Sequence, residues 1–96
     1  MRRGERQRVE IELSRHVKDQ ILDRGTSEDE IRLAILEGEE APAKEGRKAF
    51  RKNFSFEAYW KGKYYSIKQV VPIVKEELDK VIVITVYVFY FGGEGS

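Results

Sequence analysis

The segment from Val81 to Phe91 reads Val-Ile-Val-Ile-Thr-Val-Tyr-Val-Phe-Tyr-Phe. β-Branched and aromatic residues fill every position, with no charge, Gly or Pro. Pleated strand is the one backbone state that suits them all. Successive side chains of a strand point to opposite faces, and here both sets are apolar. The strand is therefore either central and covered on both faces, or covered by helices on one face and by an oligomer interface on the other. The run is also far shorter than the ~20 apolar residues of a membrane-spanning helix. The rest of a 96-residue chain, short enough for one domain, has to provide the cover.

The preceding segments have the periodicities to do so. Val9, Ile11 and Leu13 alternate with Glu10 and Glu12, a short strand. Ser14 is placed to cap a helix over Arg15–Arg24 with an apolar stripe of Val17, Ile21 and Leu22, and Gly25 supplies its stop. Ser27-Glu28-Asp29-Glu30 has the form of a capping box opening a second helix, with Ile31, Ala34 and Ile35 on its buried face and Gly38 at its end. Both helices are too short to stand alone and must pack on a sheet. Glu39–Gly46 is expected to be a polar connection. From Lys48 to Trp60 the period is two: Phe50, Phe54, Phe56, Ala58 and Trp60 share a phase, Lys52 being the exception. Lys61-Gly62-Lys63 is a hairpin turn, and Tyr64–Val74 returns. Pro72 cannot donate to a ladder, so it marks an edge, a bulge or a strand end. Glu76–Lys80 is a further turn. The expected fold is α+β: two N-terminal helices packed on a mainly antiparallel four-stranded sheet, in the order β-α-α-β-β-β. Residues 1–8 are expected to be a flexible basic N-terminus, 9–91 the single domain and 92–96 a flexible tail.

Composition removes several chemistries. With no Cys there is no disulfide framework or thiolate nucleophile, and one His builds no multi-His metal centre. No cofactor or metal is called for: Gly92-Gly93-Glu94-Gly95 opens no helix and is no phosphate loop. The opening residues lack the apolar core of a signal peptide, which predicts a cytoplasmic protein without a membrane anchor. High charge, few amides and no Cys also fit a thermophilic source. The net charge of +1 is unevenly distributed: residues 43–70 hold 8 basic against 2 acidic side chains, and residues 31–42 hold 1 against 3. Such a basic segment either keeps a sheet solvated or meets an anionic partner.

The element order, with Ser14-Arg15-His16, then Asp23-Arg24-Gly25-Thr26-Ser27-Glu28-Asp29-Glu30-Ile31, then Ala34-Ile35-Leu36-Glu37-Gly38 and finally Val83-Ile84-Thr85-Val86-Tyr87, resembles a small prokaryotic domain family related to the RelE/BrnT-like toxins. The resemblance covers about residues 9–91. It implies the toxin fold and a toxin-like RNA-binding protein, extending to a metal-independent mRNA endoribonuclease held in check by an antitoxin. A full catalytic set does not map onto the chain; only His16 and Arg24 fall on motif positions.

Cleavage by such a fold needs a base for the 2′-hydroxyl, an acid for the leaving oxygen and cations for the phosphorane. His16, Arg24 and Arg51 are the catalytic candidates, with Gln20 between the first two at helical spacing. His16 is alternatively structural, and Arg24 alternatively serves the helix C-terminus. For RNA binding the candidates are Arg47, Lys48, Arg51, Lys52, Lys61, Lys63 and Lys68 with Tyr64 and Tyr65, since cations meet phosphates and exposed rings stack on bases. Tyr59 flanks the same turn. The competing reading is a non-catalytic protein-interaction module or homodimer that keeps the fold without activity, its apolar last strand pairing with itself or accepting a partner segment.

Overall fold

A computed structural model describes residues 10–93. The basic residues 1–8, Val9 and the end of the tail lie outside them. The elements are β1 (Glu10–Leu13), α1 (Arg15–Arg24), α2 (Glu28–Glu37), β2 (Glu39–Pro42), a 3₁₀ turn (Lys44–Gly46), β3 (Lys48–Trp60), β4 (Lys63–Glu76) and β5 (Lys80–Phe91). The α+β class and the two N-terminal helices are as expected. The sheet has five strands, not four, in the order β1-β5-β4-β3-β2. The added strand is β2, in the stretch expected to be a polar connection. All four of its residues are exposed, so no apolar alternation announces it; it is defined by its antiparallel pairing with Lys48–Arg51. The sheet is also mixed, because β1 runs parallel to β5.

The local signals explain the helices. Ser14 Oγ accepts from the Val17 N–H, and Gly25 closes α1 at φ 76°. A side chain there would be strained, and its Cβ would also strike the Tyr90 hydroxyl and the Trp60 ring. Ser27 caps α2 through the Glu30 N–H. The reciprocal half of the capping box is not made, because the Glu30 carboxylate turns to Thr26 and Lys68. The β3–β4 hairpin closes on Lys61 and Gly62, both at positive φ, the backbone of a type I′ turn.

The core lies on one face. Val17 of α1 and Ile31 and Ile35 of α2 pack against Ile11 and Leu13 of β1, Phe50 of β3, Val70 and Val74 of β4, and Val81, Val83 and Val86 of β5. Pro72 sits inside β4 and is fully buried. The ladder to β3 is interrupted there, and on the other side β5 bulges at Ile84, between the pairs Ile73–Thr85 and Val74–Val83. The proline sits where the ladder to β3 lapses, one residue before the register shift opposite the β5 bulge, and lies neither on an edge strand nor at a strand end. Among the described residues no helix is long and apolar enough to cross a membrane.

Candidate functional site

The basic segment comes first. Four of its eight cations, Lys48, Arg51, Lys52 and Lys68, meet carboxylates brought in from other segments. Arg51 pairs with Glu39 directly across the β2–β3 ladder. Lys48 lies between Glu40 at 3.1 Å and Glu76 at 3.2 Å, and its pKa is raised, chiefly by the hydrogen bond to Glu40, with burial opposing. Lys52 reaches Glu37 of α2 at 3.3 Å, which explains a lysine in the apolar phase of β3. Arg47 reaches Glu45 at 3.1 Å. The acidic block at residues 31–42 and the basic block that follows are thus folded against each other. Such exposed pairs add little stability, but they neutralise the surface expected to attract phosphate.

Lys68 differs from these. Its side chain is 10% exposed, and its ammonium donates to the Gly25 carbonyl and pairs with Glu30, both at 2.9 Å. The Thr26 hydroxyl donates to the same carboxylate at 2.9 Å, and the Phe56 ring lies under the ammonium. Tyr90 completes this nest: its hydroxyl donates to the Arg24 carbonyl at 2.8 Å, Trp60 stacks on its ring at 5.1 Å, and Phe56 and Tyr65 flank it. Burial first, and Glu30 second, raise the Tyr90 pKa. The nest clamps the α1–α2 turn to the sheet. Lys68 and, in part, Tyr65 are thereby committed to the interior rather than to a ligand. Lys61 and Lys63, at the hairpin tip, are exposed and have no carboxylate partner among the described residues. They lie over the Trp60 and Tyr65 rings. Tyr59, 67% exposed, stands edge-on to Tyr64 beside them.

The catalytic candidates are not brought together. His16 is exposed on the first turn of α1. Gln20 is buried and turned to the edge of β5, where its Oε1 accepts the Val86 N–H at 3.1 Å and the Thr85 hydroxyl at 3.2 Å. Arg24, one turn on, donates to the Val86 carbonyl at 3.1 Å and lies over the Tyr87 ring. Arg51 projects from β3, two strand positions from β5, which is about 10 Å. It also lies in the exposed phase, whereas its neighbours Phe50 and Lys52 face the helices. Among the described residues no group of three or more His, Cys, Asp or Glu is placed to hold a metal ion.

The second surface is the sheet face away from the helices. Directly paired residues share a face, and the rows Ser55–Ile67–Phe91, Asn53–Gln69–Phe89 and Val71–Tyr87 run across it. Tyr87, Phe89 and Phe91 are 45%, 51% and 39% exposed; the Arg24 side chain reaches over the Tyr87 ring, and no helix packs on this row. At one end the stretch Ala43–Arg47 rises as a wall beside Ile73, Ile84, Thr85 and Tyr87, leaving a mostly apolar groove of about 440 Å³. The periodicity of β5 indicates an uncovered face. It does not reveal the wall, because nothing in the local pattern of residues 43–47 says which way the turn leans.

No protein-family model matches the chain, and the curated proteins and solved structures compared with it give no significant match.

Proposed function

We propose that the chain is a non-catalytic protein-interaction module whose working surface is the helix-free face of β4 and β5. The observation that carries this reading is the uncovered row Tyr87, Phe89 and Phe91, about half exposed on a face with no charged side chain along either strand between Ile67 and Ile73 or between Ile84 and Phe91 apart from Lys68, which points to the helices. Contiguous apolar surface of this kind raises the free energy of the isolated chain in water and is relieved by a protein partner. A photo-cross-linking amino acid at position 89 should give discrete protein adducts in cells, whereas the same group at Leu78 should not. If neither site gives protein adducts, the interaction reading is lost.

A toxin-like RNA-binding protein is the second reading, favoured by the resemblance and by one feature of the structure. Lys61 and Lys63 remain without carboxylates beside the exposed ring of Tyr59, a small site for a phosphate and a stacked base. In that reading the open face takes the antitoxin, and a metal-independent endoribonuclease would have to gather His16, Arg24 and Arg51, which stand apart here. Single-stranded RNA binding at low salt that weakens as salt rises, is lost in the Lys61→Ala/Lys63→Ala double variant, and is accompanied by cleavage that disappears in His16→Ala would establish it.

A further inference from the structure

Within the interaction reading, on which this inference rests, the occupant of the open face can be specified. We infer that it is the same face of a second copy of this chain, packed sheet on sheet about a two-fold axis that lies in the interface and crosses β5 near Val88.

The simpler alternative, strand addition, is obstructed at one point of the β5 edge. β1 covers β5 only as far as Val83, so the strand has an open edge from Ile84 onward. At the centre of that edge the Val86 N–H and carbonyl are both taken, by Gln20 and Arg24 of α1. A helix thus occupies the groups an incoming strand would need, which is a known way to protect an edge. The face has no such protection.

That face also carries both halves of a fit. Phe89 and Phe91 protrude from one end of it, and the groove floored by Ile73, Ile84 and Tyr87 lies at the other, along the same two strands. A two-fold across β5 near Val88 reverses the strand direction and keeps each strand opposite its own kind. The register then places Tyr87 of one copy over Phe89 of the other. Phe91 comes over Thr85, next to the bulged Ile84, and Ile67 over Ile73, because Ile67 pairs with Phe91 and Ile73 with Thr85. Such a contact is isologous and closes at two copies. Strands so related can also adopt the ordinary aligned angle of packed sheets.

Charge and area suit a second copy as well. The apolar rows themselves carry no charge; at their rim Arg51 is paired with Glu39, Arg47 with Glu45, and Arg24, which lies over the Tyr87 ring, donates to the Val86 carbonyl. Fully buried aromatic side chains remove ~150–250 Å² each. The exposed halves of the three rings, with the partly exposed Ile67, Val71, Ile73 and Ile84, therefore offer roughly 400–500 Å² per copy. Two copies together come close to the ~1,000 Å² at which specific interfaces begin.

The test uses the whole chain in sedimentation equilibrium across a concentration series, with folding followed by circular dichroism. Wild type should pass from monomer to dimer. Phe89→Glu and Tyr87→Lys should each raise the dissociation constant about 100-fold, the effect of losing a central anchor. Leu78→Glu, in the β4–β5 turn, should not. An equimolar mixture of Phe89→Glu and Tyr87→Lys should recover the dimer, because the carboxylate introduced at position 89 of one chain then faces the ammonium introduced at position 87 of the other. A wild type that stays monomeric throughout overturns the second copy while leaving the interaction reading to the cross-linking experiment. Loss in both single variants without recovery in the mixture overturns the two-fold register. A dimer that survives both substitutions is formed elsewhere and overturns this inference, and cross-linking from position 89 then decides the interaction reading by itself.

Discussion

Both faces of β5 are apolar, and they have opposite fates. Val81, Val83 and Val86 lie on the face covered by α1 and α2, and Val83 and Val86 are fully buried. Tyr87, Phe89 and Phe91, one residue out of phase, meet solvent. Hydrophobicity alone therefore does not say which side of a strand is core. What decides is which side the chain has elements to cover, and two ten-residue helices cover one side of five strands. The residual apolar side is where a function that needs a partner has room to act.

The sharpest way to break this contrast is one charge placed on each face. Val83→Asp buries a carboxylate with no partner and should remove more than about 5 kcal/mol, leaving no cooperative urea transition. Phe89→Asp should shift the transition of the monomer by less than about 1 kcal/mol, because the side chain is half exposed and close-packed only on one side. If Phe89→Asp unfolds the monomer, the open face belongs to the core.

The second contrast lies between two lysines of β4. Lys68 is enclosed by Glu30, the Gly25 carbonyl and Phe56, whereas Lys63 is exposed, lies over the Tyr65 ring and has no carboxylate partner among the described residues. Removing one member of a buried pair leaves the other uncompensated, so Lys68→Ala should cost about 3 kcal/mol in urea unfolding, and Lys63→Ala close to nothing. Gly25→Ala tests the same nest from the backbone side. It should cost about 1–3 kcal/mol through its positive φ and the displacement of Tyr90 and Trp60, with the helical signal retained.

Much of this architecture is legible in the sequence, and the boundary of what is legible has a physical cause. Ser14, Gly25 and Ser27 act within a turn of themselves, so local reading finds them. The phase of β3 is likewise local, and its exposed residues Arg51, Asn53, Ser55, Glu57 and Tyr59 fall where period two puts them. β2 escapes such a reading because its strand state is imposed by β3 and not by its own four residues. The ion pairs escape it for the same reason. Glu37, Glu39 and Glu40 look like solvated charges until β3 is laid against them, and only then are Lys52, Arg51 and Lys48, three of the eight cations of the basic segment, paired. Gln20 and Arg24 share one side of α1 as their spacing requires, but that side is turned to the Val86 backbone rather than to a substrate. Spacing fixes which residues are neighbours on an element; the docking of that element fixes what they face.

The smallest expected effect separates burial from hydrogen bonding at Tyr90. Its folded pKa is raised above the usual phenol value of 10.0, by burial first and by the Glu30 charge second. The folded chain therefore holds the phenolic proton more tightly than the unfolded chain. The stability this supplies is complete below pH 10 and is lost as the pH rises through the folded pKa. Lys48, also raised above its usual 10.5, adds a loss of the same sign. Wild type should accordingly show a urea midpoint that is flat from about pH 7 to 9 and falls beyond about pH 10. Tyr90→Phe forfeits the hydrogen bond to the Arg24 carbonyl and should cost about 1 kcal/mol near neutral pH, while its decline above about pH 10 becomes shallower without vanishing. A variant that falls as steeply as wild type would assign the alkaline loss to Lys48 and the other bases, and would mean that the Tyr90 ring, but not its proton, holds the α1–α2 turn to the sheet.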